Sequence, residues 1–403
     1  MEDCITIEGG ATAPKGFKAS GICAGIKVGA LDLALLVSET PAVVAGCFTT
    51  NAVQAAPVNL CKTVLASGKA SAVVVNSGCA NACTGSAGRV AATEMGTATA
   101  VALGLPAGDV FVCSTGTIGK PLPLEKICTA LPEAVAALST DGGGQAAKAI
   151  MTTDTVDKQM AVSVQIGDTT ICVGGMAKGS GMIEPNMATM LAFLTTDAAV
   201  CAESLQSCLS AVVAKTFNRI SVDGDQSTND TVLILANGRS GCSVLDHTHP
   251  DWGRFVDAVF TVSLALAKKI VKDGEGATKF ITITVAGAVT DADANVAAKA
   301  IANSLLCKTA WFGEDPNWGR VIAAVGYSGA QVDPDLIDIA FGDVVAVKCG
   351  QMADDVSFSM LEAVFAKKAF EIGVDLNLGD GIETVYTCDC SYEYVKINAE
   401  YMT

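Results

Sequence analysis

The chain switches repeatedly between two hydrophobic periods. Short β-branched runs such as residues 42–51 (AVVAGCFTTN) and 71–78 (SAVVVNSG) predict strands, while the Ala-rich stretch 86–105 (SAGRVAATEMGTATAVALGL) predicts a helix. The second half repeats the style. Asp197 stands where it would cap a helix through 204–217, residues 254–271 (RFVDAVFTVSLALAKKIV) predict a long buried helix, and 279–289 (KFITITVAGAV) predict a strand. Further helices are predicted over 295–307 and 358–370. Strands and helices alternate throughout with no fixed-period repeat, which implies an α/β protein of layered helices and sheets.

One stretch breaks the pattern. From Gly174 to Leu191 the sequence GGMAKGSGMIEPNMATML passes from glycines and a lysine through a proline into an apolar segment, dividing the chain into near-equal halves. A linker would stay polar. A flexible approach to a buried threonine is what a hinge or an internal cleavage site needs, and Thr189 is that threonine.

Composition narrows the function classes. Half of the 403 residues are hydrophobic, yet only 5% are aromatic and 17% charged, so the core is expected to be built from Ala, Val, Ile and Leu in close helix-on-sheet layers. A mean hydropathy of +0.44 raises the question of a membrane, but charged or turn residues interrupt every apolar stretch before it reaches spanning length. The opening MEDCITIEGG has neither a basic nor an apolar leader region, and a cytoplasmic protein is expected. Sixteen cysteines scattered through apolar segments predict buried free thiols rather than a disulfide framework. A net charge of −16 opposes binding to nucleic acid, which needs clustered Lys and Arg.

Several local patterns carry candidate chemistry. A threonine hydroxyl is a poor nucleophile without an adjacent base, and a free α-amine on the same residue supplies one, which at Thr189 would require a cut after Ala188. The small Ala188 would let the hydroxyl reach the preceding carbonyl for an N-to-O acyl shift. On the dipeptide alone, a threonine opening a buried strand is the better reading. Ser114–Gly119 (STGTIG) is either a turn or a place where backbone N–H and hydroxyl groups face an oxyanion. Lys178 is either a solvated loop lysine or a point charge for a substrate carboxylate. The run DGDQSTND, 223–230, fits no EF-hand spacing, and a turn with a polar network beneath a site is preferred to a metal centre. His247 and His249, the sole histidines, do not make a zinc site, so no metal is expected. With so few histidines a Ser-His-Asp mechanism has little material.

The segment KGSGMIEPNMATMLAFLTTDA, 178–198, resembles the signature of the ornithine acetyltransferase family, also called glutamate N-acetyltransferase or ArgJ. Further blocks resemble the same family in the same order: GFKASGI, FTTN, NSGCANACTG, STGTIG, MTTDT, DGDQSTND, GEGATK, DPNWGR and INAEYMT, so that the resemblance covers residues 15 to 403. It implies a precursor that cleaves itself between Ala188 and Thr189, giving fragments 1–188 and 189–403 that associate as two copies of each. It implies that Thr189 is the nucleophile and that Thr115 and Gly116 form the oxyanion hole. Substrate contacts carry over to Thr152, Lys178, Thr189, Glu275, Asn398 and Thr403, with Glu275 our candidate for pairing a substrate ammonium. The implied fold is a pair of sheets sandwiched by helices, as in certain self-processing aminopeptidases. The implied reaction is a ping-pong transfer of acetyl from N2-acetylornithine to glutamate, releasing ornithine, with no cofactor beyond acetyl-CoA as a co-substrate in some members. Two rival readings remain: a self-processing amidohydrolase or aminopeptidase in which water resolves the acyl-enzyme, and a metal-dependent phosphotransfer or binding protein built on the 223–230 carboxylates. A plain acidic scaffold would leave the ordered motifs unexplained.

Overall fold

The computed structural model describes residues 4–184 and 190–400. Its strands, in chain order, begin with β1 (Ile5–Ile7), β2 (Phe17–Ile22), β3 (Leu33–Phe48), β4 (Lys69–Cys79), β5 (Val110–Thr117), β6 (Lys158–Ile166), β7 (Thr169–Lys178) and β8 (Leu191–Thr196). They continue with β9 (Ile220–Ser221), β10 (Thr231–Ala236), β11 (Phe280–Ala288), β12 (Asp338–Phe341), β13 (Val344–Lys348), β14 (Gln351–Met352), β15 (Ala369–Asp375) and β16 (Gly381–Cys388). A large sheet runs β1-β6-β7-β8-β10-β3-β4-β5, with β2 paired to β3, and a smaller one runs β14-β13-β12-β15-β11-β16-β9. Both are mixed: β8/β10 and β4/β5 pair parallel in the first, β11/β15 and β16/β9 in the second, and the other neighbours pair antiparallel.

The continuous apolar runs are the central strands. From Ala70 to Ser77 every residue of β4 is buried, as a strand covered on both faces must be. The helices α1 (Ala56–Leu65), α2 (Gly85–Leu103), α3 (Leu124–Ala136) and α4 (Gly143–Ala149) pack around the β2–β5 region, and α5 (Ala202–Lys215) packs where β3 meets β8 and β10. Helix α6 (Trp252–Lys272) lies between the sheets. Its Phe255, Val259, Val262, Leu266 and Ile270 are buried at helical spacing, in the core beneath β6 and β7. On the other side, its Lys268 and Lys272 lie over the rings of Tyr386 (4.5 Å) and Phe280 (5.2 Å) of the small sheet. The small sheet buries its far face under α7 (Asp291–Asn303), α8 (Leu305–Phe312), α9 (Trp318–Tyr327) and α10 (Phe358–Phe365), and α11 (Tyr392–Glu400) closes the described chain. The protein is therefore a mixed α/β fold of two sheets with helices on their faces.

Four sequence expectations need correction. The helix predicted over 295–307 breaks at Ser304, whose side chain accepts the Cys307 N–H and starts α8 afresh. The helix predicted over 358–370 stops at Phe365, because the alternation from Ala369 onward pairs with β11 as β15. Asp197 caps no helix, since its carboxylate accepts the backbone N–H groups of Cys172 (2.8 Å) and Lys15 (3.1 Å) while α5 starts at Ala202. Of the glycine-rich stretch, Gly174 to Lys178 is strand rather than linker: it completes β7, which pairs antiparallel with β8 from Lys178/Leu191 to Val173/Thr196. Gly174 is required there for a different reason, because a Cβ would sit 2.0 Å from the Gly10 carbonyl oxygen. The sixteen cysteines are all free, but only seven are buried and four are exposed, so the thiol expectation holds for part of the set.

Candidate active site

Strand β5 supplies the first wall. It runs parallel to β4 until the register slips at Gly78 and Cys79, and there Gly116 adopts φ +125° with its α-carbon pressed on the neighbour strand. A Cβ at Gly116 would stand 2.5 Å from the Gly78 carbonyl carbon, so no other residue fits. The adjoining Thr115 is 9% exposed. Asn229 locks this strand end by donating from Nδ2 to the carbonyls of Ala80 (2.6 Å) and Ser114 (2.8 Å).

The end of β7 supplies the second wall. Lys178, its last residue, is 8% exposed rather than solvated, and its ammonium donates to the hydroxyls of Thr152 (2.7 Å) and Thr115 (3.4 Å). It stands 3.9 Å from Asp154 Oδ2. Burial lowers the Lys178 pKa, with Asp154 opposing that shift. Burial alone would raise Asp154, but Lys178, Lys158 and the Gly179 N–H outweigh it and hold the carboxyl at about 2.

Helix α6 and α11 supply the third. Glu275 follows α6, with its N–H on the Ser180 carbonyl (2.9 Å) and its carboxylate accepting the Asn398 amide at 2.7 Å. Tyr394 of α11 reaches Asp223 (3.4 Å), which also accepts the N–H groups of Met182 (2.6 Å) and Ile183 (2.7 Å). Burial raises the pKa of Asp223 against those donors, and burial followed by the Asp223 charge raises that of Tyr394.

These walls enclose a cavity of about 160 Å³ lined by Thr115, Gly116, Thr152, Lys178, Glu275 and Asn398. All six described residues named from the sequence therefore converge. Ala188, Thr189 and Thr403 lie outside the described residues, but Met190, next to Thr189, lines the same cavity and accepts the Thr231 N–H on its carbonyl. The run 223–230 forms the expected polar network, but Asp223, Asp225 and Asn229 line the cavity rather than lying beneath it. Among the described residues no group of three or more His, Cys, Asp or Glu side chains is arranged to hold a metal, and no helix is long and apolar enough to cross a membrane. His249 instead contacts Ser243 at 3.0 Å. Sequence reasoning missed Asp154 and Tyr394, although each stood inside or beside a block already singled out, MTTDT and INAEYMT.

Residues 18–403 match the ArgJ family. The "Arginine biosynthesis bifunctional protein ArgJ" of Geobacter sulfurreducens is 52% identical over 390 residues, covering 96% of this chain and 99% of that protein. Its namesake from Symbiobacterium thermophilum is 49% identical over 402 residues, covering 98% and 99%. A crystal structure of the arginine biosynthesis bifunctional protein from Bacillus halodurans is similar with a TM-score of 0.51 at 45% identity, covering 53% of this chain and 100% of that one.

Proposed function

The chain belongs to the ArgJ family, and from that premise we propose that it is a self-cleaving glutamate N-acetyltransferase of arginine biosynthesis whose nucleophile is Thr189. The convergence of Thr115, Gly116, Thr152, Lys178, Glu275 and Asn398 on one cavity, beside the residue that follows Thr189, carries the proposal. A buried ammonium and a carboxylate on facing walls suit a small amino acid, which bears one charge of each sign.

In this reading the Thr189 hydroxyl first attacks the Ala188 carbonyl. The resulting ester is hydrolysed, leaving a free amine on Thr189 and a carboxylate on Ala188. The solved Bacillus halodurans chain supports such a cut, since its whole length is matched by 53% of this chain, the share that residues 189–403 make up. The α-amine, with a pKa of about 8, then takes the hydroxyl proton as Oγ attacks the acetyl carbonyl of N2-acetylornithine. The Thr115 hydroxyl and the Gly116 backbone face the developing oxyanion, and the C–N bond breaks as the amine returns the proton to departing ornithine. The glutamate amine next attacks the acetyl-threonine ester, forming N-acetylglutamate and restoring the hydroxyl. Lys178 holds a substrate carboxylate and Glu275 a substrate ammonium, while Asn398 and Thr403 are assigned the remaining substrate contacts. Acetyl-CoA would enter as a second donor to the same threonine, which the name "bifunctional" of the relatives supports.

The test is a transfer assay. Purified protein with N2-acetylornithine should form N-acetylglutamate only when glutamate is present, and Thr189→Ala should be silent. Acetate release that is indifferent to glutamate would instead mark a hydrolase.

A further inference from the structure

Lys158 in β6 is wholly buried and lines no part of the cavity, and Asp154 stands between it and the cavity-lining Lys178. Its three N–H donors are all used, on Asp154 Oδ1 (2.7 Å), the Val156 carbonyl (3.2 Å) and Asp273 Oδ2 (2.6 Å). Asp273, at the end of α6, also accepts the Thr155 N–H and hydroxyl. Asp154 Oδ1 takes the Gly179 N–H at 2.7 Å as well, while Oδ2 takes the Thr152 N–H at 3.0 Å. The result is an alternating row, Lys178, Asp154, Lys158, Asp273, with two charges of each sign. Within it Lys158 touches both carboxylates at ion-pair contact, whereas Lys178 is left 3.9 Å from Asp154. An isolated ammonium and carboxylate in so dry a setting would close to contact.

We propose that Lys158 is a positioning residue for acetyl transfer: with the Gly179 N–H it anchors Asp154 Oδ1, keeps that carboxylate from capturing Lys178, and leaves the Lys178 ammonium aimed at Thr115 and Thr152. The kinetic half of this inference rests on the acetyl-transfer reading, and the geometric half does not. A Lys178 N–H directed at Thr115 Oγ1 leaves the proton of that hydroxyl free to point into the cavity, where an oxyanion would sit. Capture of Lys178 by Asp154 would withdraw that orientation and neutralise the one ammonium lining the described cavity wall.

Lys158→Met alone strips one cation from a buried row and risks the fold. The double variant Lys158→Met with Asp273→Asn removes one charge of each sign and is the one to build. Its crystal structure should have Asp154 Oδ2 in direct contact with Lys178 Nζ and the Thr115 contact opened, and an unchanged 3.9 Å spacing would overturn the proposal. Turnover should fall about tenfold, short of the roughly 10²–10³-fold seen when an oxyanion donor is deleted. The basic limb of the kcat/KM profile should also move to higher pH, because Lys178 exchanges the repelling Lys158 for a closer Asp154. The remaining charges facing Lys178, namely Lys27, Asp230 and Glu275, are unaltered in this variant. Partial unfolding would scale the profile without moving the limb, and that result with full turnover per folded molecule would also overturn the inference. A wild-type protein without acetyl transfer would sink the functional reading, while the crystallographic arm would still decide the role of Lys158.

Discussion

Asp154 is a buried carboxylate between two buried ammonium groups, and its protonation has a readable effect on stability. Burial opposes its ionisation, but Lys178 and Lys158 prevail and bring the folded pKa from 3.8 to about 2. A depressed carboxyl pKa contributes stability that is complete above the unfolded value and is lost as pH falls through the folded one. The loss should amount to about 2 kcal/mol between pH 3.8 and about 2. Asp197 and Asp223, raised by burial, work in the opposite direction, so only a variant comparison isolates the effect. Urea unfolding at stepped pH should give Asp154→Asn a shallower acid decline than wild type, and parallel declines would refute the assignment. Little of this row was legible in the sequence. A lysine opening KQMAVSVQI looks like the wet end of a strand, and only the return of α6 places Asp273 against it. Gly116 was easier to find, because the family resemblance singled out its STGTIG motif, and the φ of +125° and the 2.5 Å approach to Gly78 give the physical reason for a glycine there.

At the scale of elements, α11 buries none of its residues and is joined to the body mainly by polar contacts, Asn398 to Glu275 at 2.7 Å, Tyr394 to Asp223 and the preceding Ser391 to the Gly276 carbonyl at 2.6 Å, with the Tyr392 ring edge-on to Phe312 at 5.3 Å. Such a helix contributes to the cavity more than to the core. Asn398→Ala should therefore raise KM for N2-acetylornithine about tenfold, the cost of one hydrogen bond to a charged group, while lowering unfolding free energy by only about 1 kcal/mol, the share of its bond to Glu275. An unchanged KM with a lowered Tm would show that α11 serves the fold instead. Long periodic elements such as α6 and β11 were predicted from hydrophobic pattern to within two residues at each end. The errors fell where a short-range pattern was overruled by pairing or capping: residues 366–370 by the β11/β15 ladder, residues 295–307 by the Ser304 cap.

At the scale of the molecule, the large sheet interleaves the two halves of the chain. Strands β8 and β10, from the C-terminal half, lie between β7 and β3 of the N-terminal half, with β8 fully paired to β7 and β10 to β3. A cut between Ala188 and Thr189 would therefore leave fragments that cannot part without opening two ladders, and the cavity draws Thr115 and Lys178 from one and Glu275 and Asn398 from the other. Composition and alternation disclosed the α/β class, but not this interleaving, because ladder order depends on contacts far apart in the chain. The central claim is covalent, and intact mass under denaturing conditions tests it most directly. The account predicts two fragments meeting at Ala188 and Thr189 in wild-type protein, and one uncut chain in Thr189→Ala. A single 40.9 kDa chain in catalytically active wild-type protein would contradict it.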